Sequence, residues 1–387
     1  MNLFPDILSI ILSLLGIIYV RQIFLFTSGL KKLREGIIEQ HPSIAVVVPA
    51  RNEEAHIGDC LSSLLNQDYP KDKITIVVVD DQSTDNTSTI VQNYASNSSR
   101  IKLLGVQNPS KHISPKINAL TLGIAQSKSD IIFTTDADCI AGSKWISSII
   151  KHFAPEVGIV TGTTVFDNKQ NVSPLLFGVQ FLDFLSHTAC AAGAIGNGNV
   201  NNCNGSNMAF RRSAYEAAGG YSSLAHLNSG DDSLLAQQIV SNTKWKIRFA
   251  SEPESQMTTF PVEHWTDFLQ QRMRWAAQTA HYRPAMLVFL ATSFLLYALL
   301  FVLTPFSIAF FTEFPSPVIV LCGKFTIDYL ILKRFTTLTK TSSVMKFFLP
   351  AEIIHVPAIL IAVLGGYFGH FKWKGRTLLR TMEKASA

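Results

Sequence analysis

Charged side chains are scarce in this sequence of 387 residues, in which Asp, Glu, Lys and Arg together account for 16%. Soluble globular proteins carry about 25%. Hydrophobic residues reach 47%, and the mean hydropathy is +0.22. This composition excludes a disordered chain, a collagen-like repeat and a coiled coil. The apolar excess lies mainly in about the first thirty and the last hundred residues, which predicts a soluble domain between membrane segments.

Cysteine is also rare: there are five residues, an odd number, with no Cys-x-x-Cys spacing. This pattern argues against a disulfide framework and a zinc site, and it fits a reducing, cytosolic setting. The net charge of +5 is modest. In a chain with membrane segments, such a charge indicates loops that face anionic lipid and the cytoplasm, so no nucleic-acid partner is expected.

Residues 1–30 predict an N-terminal transmembrane anchor. No small-x-small cleavage site follows this apolar run, so we expect a retained anchor rather than a signal peptide. Lys31, Lys32 and Arg34 come directly after it. By the positive-inside rule, the following domain faces the cytosol and the N-terminus lies outside, as in an integral protein of a cytoplasmic, or inner, membrane.

Residues 284–370 predict C-terminal transmembrane helices, and residues 371–387 form a basic tail. An uncharged run of 19 residues near the start of this region is long enough to span a bilayer core. Further on, Lys324 and Asp328 share one helix face, which indicates a shielded ion pair or, alternatively, part of a substrate path. The linker before the last apolar segment and the tail after it are both basic. Either that segment dips in and returns, or the number of crossings is different.

Residues 41–283 alternate between apolar runs rich in β-branched residues and helical patterns. Such runs are typical of strands that are buried on both faces of a parallel sheet. The predicted strands are Ile44–Val48, Ile74–Val79, Ile101–Val106 and Ile131–Thr135. The series predicts an α/β fold with a doubly wound, Rossmann-like sheet, followed by interface helices at 261–283.

Acidic residues follow three of these strands. The segments are PARNEE at 49–54, Asp80-Asp81 and Asp136-Ala137-Asp138. Ligands of open α/β sheets bind beyond the carboxyl ends of the strands. A single Asp at such a place commonly caps the next helix. Three acidic strand ends within about one hundred residues instead predict one convergent site.

Asp136 and Asp138 are separated by one residue, so in extended backbone their carboxylates project to the same side. Carboxylate oxygens are the ligands that Mg²⁺ or Mn²⁺ prefers, and the phosphates of a nucleotide diphosphate complete the shell. The metal would neutralise charge that develops on the leaving group. Asp-x-Asp also arises by accident in turns, but its place after a buried strand favours a metal site.

Two later segments carry further candidates. Gly230-Asp231-Asp232 opens a helix, where its acids either complement the helix dipole or form a general base. In the second case Asp232 is the base, and the neighbouring Asp231 raises its proton affinity. QQRMRW at 270–275 has two interpretations. It could be an amphipathic interface helix with Trp275 at the level of the lipid headgroups. Alternatively, an Arg of this segment binds a phosphate and the Trp forms an apolar wall for a sugar or acceptor.

Taken together, these segments resemble the membrane-integrated branch of glycosyltransferase family 2, which includes cellulose and poly-N-acetylglucosamine synthases and ceramide glucosyltransferase. The resemblance covers about residues 41–283 and the flanking membrane arrangement, and it implies a GT-A-like fold. It rests on PARNEE at 49–54, VVDDQSTDNT at 78–87, PKINAL at 115–120, DAD at 136–138, NGSNMAFRR at 204–212, GDD at 230–232 and QQRMRW at 270–275.

The resemblance also implies a role for each matching residue. Asp232, with Asp231 beside it, would deprotonate the acceptor hydroxyl, and Asp138 with Asp136 would hold Mg²⁺ or Mn²⁺. The nucleotide sugar would contact Pro49, Arg51, Glu53, Asp81, Lys116 and Asp136. The acceptor and the pyrophosphate would lie near Asn207, Gln271, Arg274 and Trp275. The family's usual Glu-Asp is Asp-Asp here, which leaves the role of Asp231 open.

The implied activity is that of an inverting glycosyltransferase. It would move a hexosyl or N-acetylhexosaminyl unit from a nucleotide-diphosphate sugar, in first place a UDP-sugar, to a hydroxyl of a lipid or lipid-linked acceptor at the membrane. A short processive polysaccharide synthase is the alternative within enzymes. A non-catalytic membrane assembly subunit with a nucleotide fold is the alternative from another class, and intact Asp81, Asp138, Asp232 and Arg274 speak against it.

Overall fold

The computed structural model describes residues 3–107, 113–169, 172–225, 227, 230–279, 282, 284–368, 371–373 and 376–378. The chain divides into two compact units. A helical unit comprises Met1–Lys32, Val172–Asn197 and Val262–Gly369, and an α/β unit comprises Leu33–Asn171, Gly198–Pro261 and His370–Ala387. The stretch Val172–Asn197, inside the predicted domain 41–283, therefore belongs to the helical unit. Most of the predicted basic tail lies outside the described residues.

The helices and strands are numbered in chain order. They are α1 (Leu3–Leu30), β1 (Ile44–Ala50), α2 (Ile57–Leu65), β2 (Ile74–Asp80), α3 (Thr87–Asn97), β3 (Ile101–Gly105), α4 (Pro115–Ala125), β4 (Ile131–Thr134), β5 (Ile140–Ala141), α5 (Trp145–Ile150), β6 (Val157–Gly162), β7 (Thr164–Phe166), α6 (Pro174–Gly196), β8 (Met208–Arg211), α7 (Arg212–Ala217), α8 (Asp231–Asn242), β9 (Lys246–Ala250), β10 (Met257–Thr259), α9 (Trp265–Gln278), α10 (Pro284–Ala309), α11 (Ser316–Leu338), α12 (Phe348–Phe368), β11 (Phe371–Trp373) and β12 (Arg376–Leu378).

The α/β unit is built on a seven-stranded sheet in the order β3-β2-β1-β4-β8-β6-β9. Neighbouring strands are parallel except at β8, which runs antiparallel to both β4 and β6. The central strands are apolar on both faces because helices cover both, and Val46, Val47 and Val48 are fully buried. A second sheet has the order β5-β10-β7. This mostly parallel sheet confirms the predicted α/β fold.

Strand register brings the acidic segments to one edge. Ala50 at the end of β1 is opposite Asp80 at the end of β2, and Val47 is opposite Thr134 at the end of β4. Thr134 is in turn opposite Met208, where the antiparallel strand β8 begins. The residues after β1, β2 and β4 and those before β8 therefore lie at the same edge of the sheet, as the sequence predicted for the first three.

The helical unit contains four segments that are long and apolar enough to cross a membrane. They are Asp6–Leu30, Pro174–Gly196, Pro284–Ala309 and Ser342–Phe368. Ser9 pairs with Ser316 and Tyr19 with Asp328, so α1 and α11 run in the same direction. The ring of Phe289 packs on Phe26, while the hydroxyls of Tyr297 and Tyr19 are 3.0 Å apart, so α10 runs the opposite way.

The expected ion pair of α11 is present and has additional partners. Lys324, which is 1% exposed, lies 2.8 Å from Asp328 Oδ2 and also donates to Glu352 of α12. The Tyr19 hydroxyl of α1 donates to Asp328 Oδ1 at 2.8 Å. Isolated buried charges are very costly, so such pairing is what allows these side chains to lie among apolar helices.

Helices α1 and α6 approach each other through glycines. A Cβ placed on Gly193 would overlap the backbone carbonyl of Phe26, and one placed on Gly196 would overlap that of Gly29. Close backbone approach through small residues is a common way for apolar helices to associate. The Asn197 amide donates to the carbonyl of Leu25 at 2.8 Å and continues this contact beyond the helix end.

We expect Gly193→Ala to destabilise the protein, because the added methyl group meets backbone that cannot rotate away. The matched variant is Gly323→Ala in α11, where an added Cβ meets nothing within 4 Å. Thermal unfolding of the detergent-solubilised chain should show a midpoint several degrees lower for Gly193→Ala and an unchanged or higher one for Gly323→Ala, since core overpacking costs about 1–3 kcal/mol. Equal midpoints would contradict this view of the α1–α6 contact.

Candidate active site

The loops after β1 and β2 are tied together at the sheet edge. The backbone N–H of Asn52 donates to Ser83 Oγ at 3.0 Å, and the N–H of Thr84 donates to Asn52 Oδ1 at 2.8 Å. Asn52 and Gln82 have left-handed backbone, with φ of 51° and 58°. For residues other than glycine this costs about 1–3 kcal/mol and persists only where the surroundings fix it. The two loops therefore leave the sheet as one fixed structure.

Arg51 and Asp81 meet across these loops. The Arg51 guanidinium donates to the Asp81 carbonyl, and its Nη1 lies 3.8 Å from Asp81 Oδ2. The neighbouring Asp80 is engaged differently, since its carboxylate accepts from the hydroxyls of Ser83 and Ser88 and so braces the loop. Of Asp80 and Asp81, it is therefore Asp81 that lies beside Arg51.

Two other predicted nucleotide-sugar residues lie near this edge. Pro49 is in β1 opposite Val79 of β2, one residue before the strand end. Glu53 is buried, and its backbone N–H donates to Thr87 Oγ1 at 2.7 Å. The PARNEE segment is therefore anchored to the start of α3 as well as to β2.

Lys116 joins acids from distant parts of the sequence. It stands in the first turn of α4, and its Nζ donates to Asp136 Oδ1 at 3.0 Å and lies 3.8 Å from Asp231 Oδ2. Burial alone would lower the pKa of Lys116, but the carboxylates of Asp136, Asp231 and Asp232 outweigh it and raise that pKa. The lysine is therefore charged, and it connects the segment after β4 with the start of α8.

Asp232 is held by backbone N–H groups beside this bridge. Its Oδ2 accepts from the N–H of Gly205 at 2.7 Å and its Oδ1 from the N–H of Ser233 at 2.6 Å. Burial and the charge of Asp231 raise the pKa of Asp232 to about 6, although Lys116 and the two N–H groups oppose the rise. A carboxylate with this pKa is ionised at neutral pH and still accepts a proton more readily than an ordinary Asp.

The residues predicted to hold a metal form a compact donor set. Ligand atoms of Asp136, Asp138 and Cys139 lie within 4.8 Å of one another. Burial and the charges of Asp138 and Asp136 raise the pKa of the Cys139 thiol, so the sulfur stays protonated and is a poor ligand. Burial and Asp136 also raise the pKa of Asp138. Two crowded carboxylates without a thiolate fit a hard divalent cation such as Mg²⁺ or Mn²⁺.

Asn207 was expected near the acceptor, but the structure places its side chain in the protein interior. Its side chain is 0% exposed; the amide accepts from Trp145 Nε1 at 2.9 Å and donates to the carbonyls of Thr163 and Ser255. A buried side chain with these partners cannot touch an acceptor. Asn207 instead fixes the start of β8 against α5 and the segments just before β7 and β10, and the loop before it presents the Gly205 N–H to Asp232.

Gln271, Arg274 and Trp275, which form a Gln-x-x-Arg-Trp signature within QQRMRW, lie on α9, in the helical unit. Gln271 accepts from Arg272, whose guanidinium carbon lies 4.1 Å from the centre of the Trp275 ring. Arg274 is on the same helix. The Trp275 ring also packs edge-on against His187 of α6. The structure thus holds Gln271 and Trp275 together through Arg272, a residue that the sequence did not single out.

Tyr221 is a second residue that sequence reasoning missed. It is 2% exposed, and its hydroxyl has no hydrogen-bond partner among the residues that the structure describes. Burial raises the pKa of this phenol, and the charges of Asp231, Tyr215 and Asp232 add to the rise. It follows Gly219 and Gly220, both with positive φ. A Gly-Gly-Tyr turn carries no charge pattern, so only its glycines could have marked it.

A mixed α/β sheet with this acidic edge defines the class as a GT-A-type glycosyltransferase. The fold matches a mannosyltransferase from Pyrobaculum calidifontis, solved with GDP-Man and Mn²⁺, with a TM-score of 0.60 and 19% identity, over 93% of this chain and 99% of that one. The model of glycosyl transferase family 21 matches residues 8–385, and the chain belongs to that family. The predicted resemblance to membrane-integrated glycosyltransferases is confirmed, and the family whose model matches is family 21.

Curated relatives include a probable glycosyltransferase, YdaM, of Bacillus subtilis, 28% identical over 68% of this chain and 64% of the relative. A poly-β-1,6-N-acetyl-D-glucosamine synthase of Staphylococcus aureus is 27% identical over 71% of this chain and 63% of the relative. The chain thus spans slightly less than two thirds of the length of these relatives.

The raised pKa of Asp232 predicts that the free energy of unfolding depends on pH. Because the folded state binds this proton more tightly than the unfolded state, stability is lost as pH rises from about 4 through 6. The gap between the ordinary 3.8 and about 6 corresponds to at most about 3 kcal/mol above that range. The unfolding midpoint of Asp232→Asn, relative to the unchanged protein, should therefore increase between pH 4.5 and 8.

The matched control is Asp85→Asn. Burial alone would raise the pKa of Asp85, but hydrogen bonds from the Thr87 hydroxyl and from the N–H groups of Glu54 and Thr87 lower it below 3.8. Asp85 is then ionised in both states from pH 4.5 to 8, so its variant should show a constant offset. A constant offset for Asp232→Asn as well would mean that its carboxyl has an ordinary pKa.

Proposed function

We propose that the protein is an inverting glycosyltransferase that moves a hexosyl or N-acetylhexosaminyl unit from a nucleotide-diphosphate sugar to a hydroxyl group of a lipid or lipid-linked acceptor. One observation carries the proposal: Lys116 joins Asp136, one of the two carboxylates that fit a metal ion, to Asp231, whose neighbour Asp232 has a raised pKa. Donor-activating and proton-accepting groups therefore meet at one sheet edge. We take a UDP-sugar as the first candidate donor, since a curated relative is named for N-acetylglucosamine polymer synthesis.

Each group has a definite part in this proposal. Arg51 and Asp81 would receive the nucleotide at the ends of β1 and β2. Asp138 and Asp136 would hold Mg²⁺ or Mn²⁺, which supplies charge neutralisation at the leaving diphosphate. Lys116 would add positive charge on the same side. Asp232 would take the acceptor proton during a single displacement at the anomeric carbon, so no covalent intermediate is needed.

The acceptor is inferred from the position of α9. Gln271, Arg274 and Trp275 lie on a helix of the apolar unit, which favours an acceptor that is itself associated with lipid. The alternative of a short processive polysaccharide synthase is favoured by a different observation, the name of the Staphylococcus aureus relatives. The two differ in product: a single added sugar in the first case and a ladder in the second.

We further propose that the end of the helical unit bearing Lys31 and Lys333 faces the cytosol. Because α1 and α11 run in parallel, Lys31 just after α1 and Lys333 in the last part of α11 lie at the same end of the bundle, as the positive-inside rule requires. Helix α12 follows α11 in the chain and, in this proposal, ends at that same end. Gly365 and Gly366 pack against Met273 and its neighbours in α9, and α10 begins at this same end only a few residues after α9. A basic tail inside satisfies the rule.

This orientation is tested by fusing green fluorescent protein or alkaline phosphatase after residues 312, 341 and 387. We expect fluorescence after 341 and 387 and phosphatase activity after 312, because α10 and α11 form a hairpin through the membrane. Phosphatase activity after 387 would mean that α12 crosses completely. Fluorescence after 312 would reverse the whole orientation.

The activity is tested with the purified full chain. A thermal-shift screen of UDP-glucose, UDP-galactose, UDP-N-acetylglucosamine and GDP-mannose with Mn²⁺ identifies the donor. We expect Asp138→Ala to abolish metal-dependent turnover, and Asp232→Asn to retain donor binding while transfer to acceptors in membrane vesicles falls at least about a hundredfold. Labelled products on a gel distinguish a single sugar from a ladder.

The control is Asp59→Asn, an exposed acid of α2, which should change neither binding nor transfer. Undiminished turnover in Asp138→Ala would overturn the metal assignment. Unchanged transfer in Asp232→Asn would place the base elsewhere, with Asp231 as the next residue to test.

A further inference from the structure

The helical unit contains a buried ion pair that ends at the Gln-x-x-Arg-Trp signature. Arg272 is 3% exposed, and its Nε donates to Asp183 of α6. On its own helix the guanidinium carbon lies 4.4 Å from the centre of the Phe268 ring and 4.1 Å from that of Trp275. Its Nη1 donates to Gln271. One arginine thus contacts two signature side chains of α9.

Asp183 is the centre of this arrangement. Its Oδ2 accepts from Arg272, and its Oδ1 lies 3.2 Å from Nδ1 of His355 on α12. His187, one turn further along α6, has its Nε2 3.9 Å from Asp183 Oδ2. The carboxylate therefore joins α9, α6 and α12. Gln180 of α6 adds a second tie, a pair of hydrogen bonds with the backbone of Val262 just before α9.

A buried ion pair is a poor way to gain stability, because apolar residues of similar volume often stabilise a protein as well or better. What it provides is a single geometry, since the planar guanidinium accepts few orientations relative to a carboxylate. Here that geometry fixes where the Gln271 amide lies and what covers the Trp275 ring. Orientation of these two side chains is therefore the property that the ion pair controls.

We propose that Asp183 and His355 are positioning residues for the reaction: through Arg272 they hold Gln271 and Trp275 in the orientation that transfer requires. This rests on the proposed function in one respect, namely that the signature of α9 acts on the acceptor or the pyrophosphate. Neither Asp183 nor His355 touches the reacting atoms in this proposal.

The same unit offers a matched control. Asp328 is buried to the same degree as Asp183, at 7% against 8% exposure. Its hydrogen-bond partners Tyr19 and Lys324 lie on α1 and α11, away from α9 in the chain. Asp183→Asn and Asp328→Asn therefore remove equivalent buried charges from the same set of helices, and only the first removes a partner of Arg272.

The experiment uses the full chain in membrane vesicles, with the donor found in the screen as probe. We expect Asp183→Asn to lower kcat for sugar incorporation about ten- to a hundredfold with a much smaller change in donor KM, because misplacing a positioned group by about 1 Å has such an effect. His355→Leu should act in the same direction, and His355→Asn, which keeps a nitrogen donor near the place of Nδ1, should restore much of the loss. Asp328→Asn should leave kcat within about twofold.

A second readout does not depend on activity. Backbone hydrogen exchange of residues 265–278 should be faster in Asp183→Asn than in the unchanged protein or in Asp328→Asn, because α9 loses its tie to α6. If Asp183→Asn matches Asp328→Asn in both kcat and α9 exchange, the ion pair is merely structural and the proposal is overturned.

Trp275→Ala separates this proposal from the proposed function. If Trp275→Ala lowers transfer and Asp183→Asn does not, the positioning role is wrong while the function stands. If Trp275→Ala leaves transfer unchanged, the signature does not act in the reaction and the proposed positioning for transfer fails. Accelerated α9 exchange in Asp183→Asn would then show that the tie exists without a catalytic purpose.

Discussion

The acidic edge of the α/β sheet depends on the electrostatic attraction between Lys116 and the acids around it. Asp136 follows β4 and Asp231 opens α8, and both lie within 4 Å of the lysine Nζ. Acids brought this close repel one another strongly when they are partly buried. A cation between them allows β4 and α8 to meet at one edge, and it keeps the neighbouring Asp232 from an even higher pKa. The fold and the site therefore share one electrostatic constraint.

The sheet was largely predictable because its strands are buried on both faces. The run Ile44–Val48 became β1, Ile44–Ala50, and Ile131–Thr135 became β4, Ile131–Thr134. The antiparallel strand β8 was not predicted, since its four residues have no periodicity of their own and their pairing depends on two strands distant in sequence. The sequence analysis also did not assign α6 to the apolar unit. Its polar residues Gln180 and Asp183 interrupt the hydrophobic run, and only the structure shows the partners that satisfy them.

The placement of candidate residues was predictable where an acid closely follows a strand, as at Asp81 or Asp136, and unpredictable where burial decides. QQRMRW contains two arginines, and only the structure places Arg272 between two aromatic rings and Asp183. Asn207 matched a motif, yet its amide is occupied by buried partners in the protein interior. A sequence pattern records that a residue type is required, but it does not record whether the requirement is contact with a ligand or support of the backbone that makes the contact.

Asp232 in the α/β unit and the Arg272–Asp183 pair in the helical unit both lower the stability of the folded state in return for a chemical or geometric property. A carboxylate that accepts a proton near neutral pH must be partly deprived of water and placed beside another acid, and both conditions lower the stability of the folded state. A guanidinium that orients side chains inside an apolar helical unit likewise has its hydration replaced by one carboxylate. The apolar packing around these groups must supply the stability that they remove. This cost accounts for the pairing of the charges that are buried in the helical unit, Lys324 with Asp328 and Glu352, and Arg272 with Asp183.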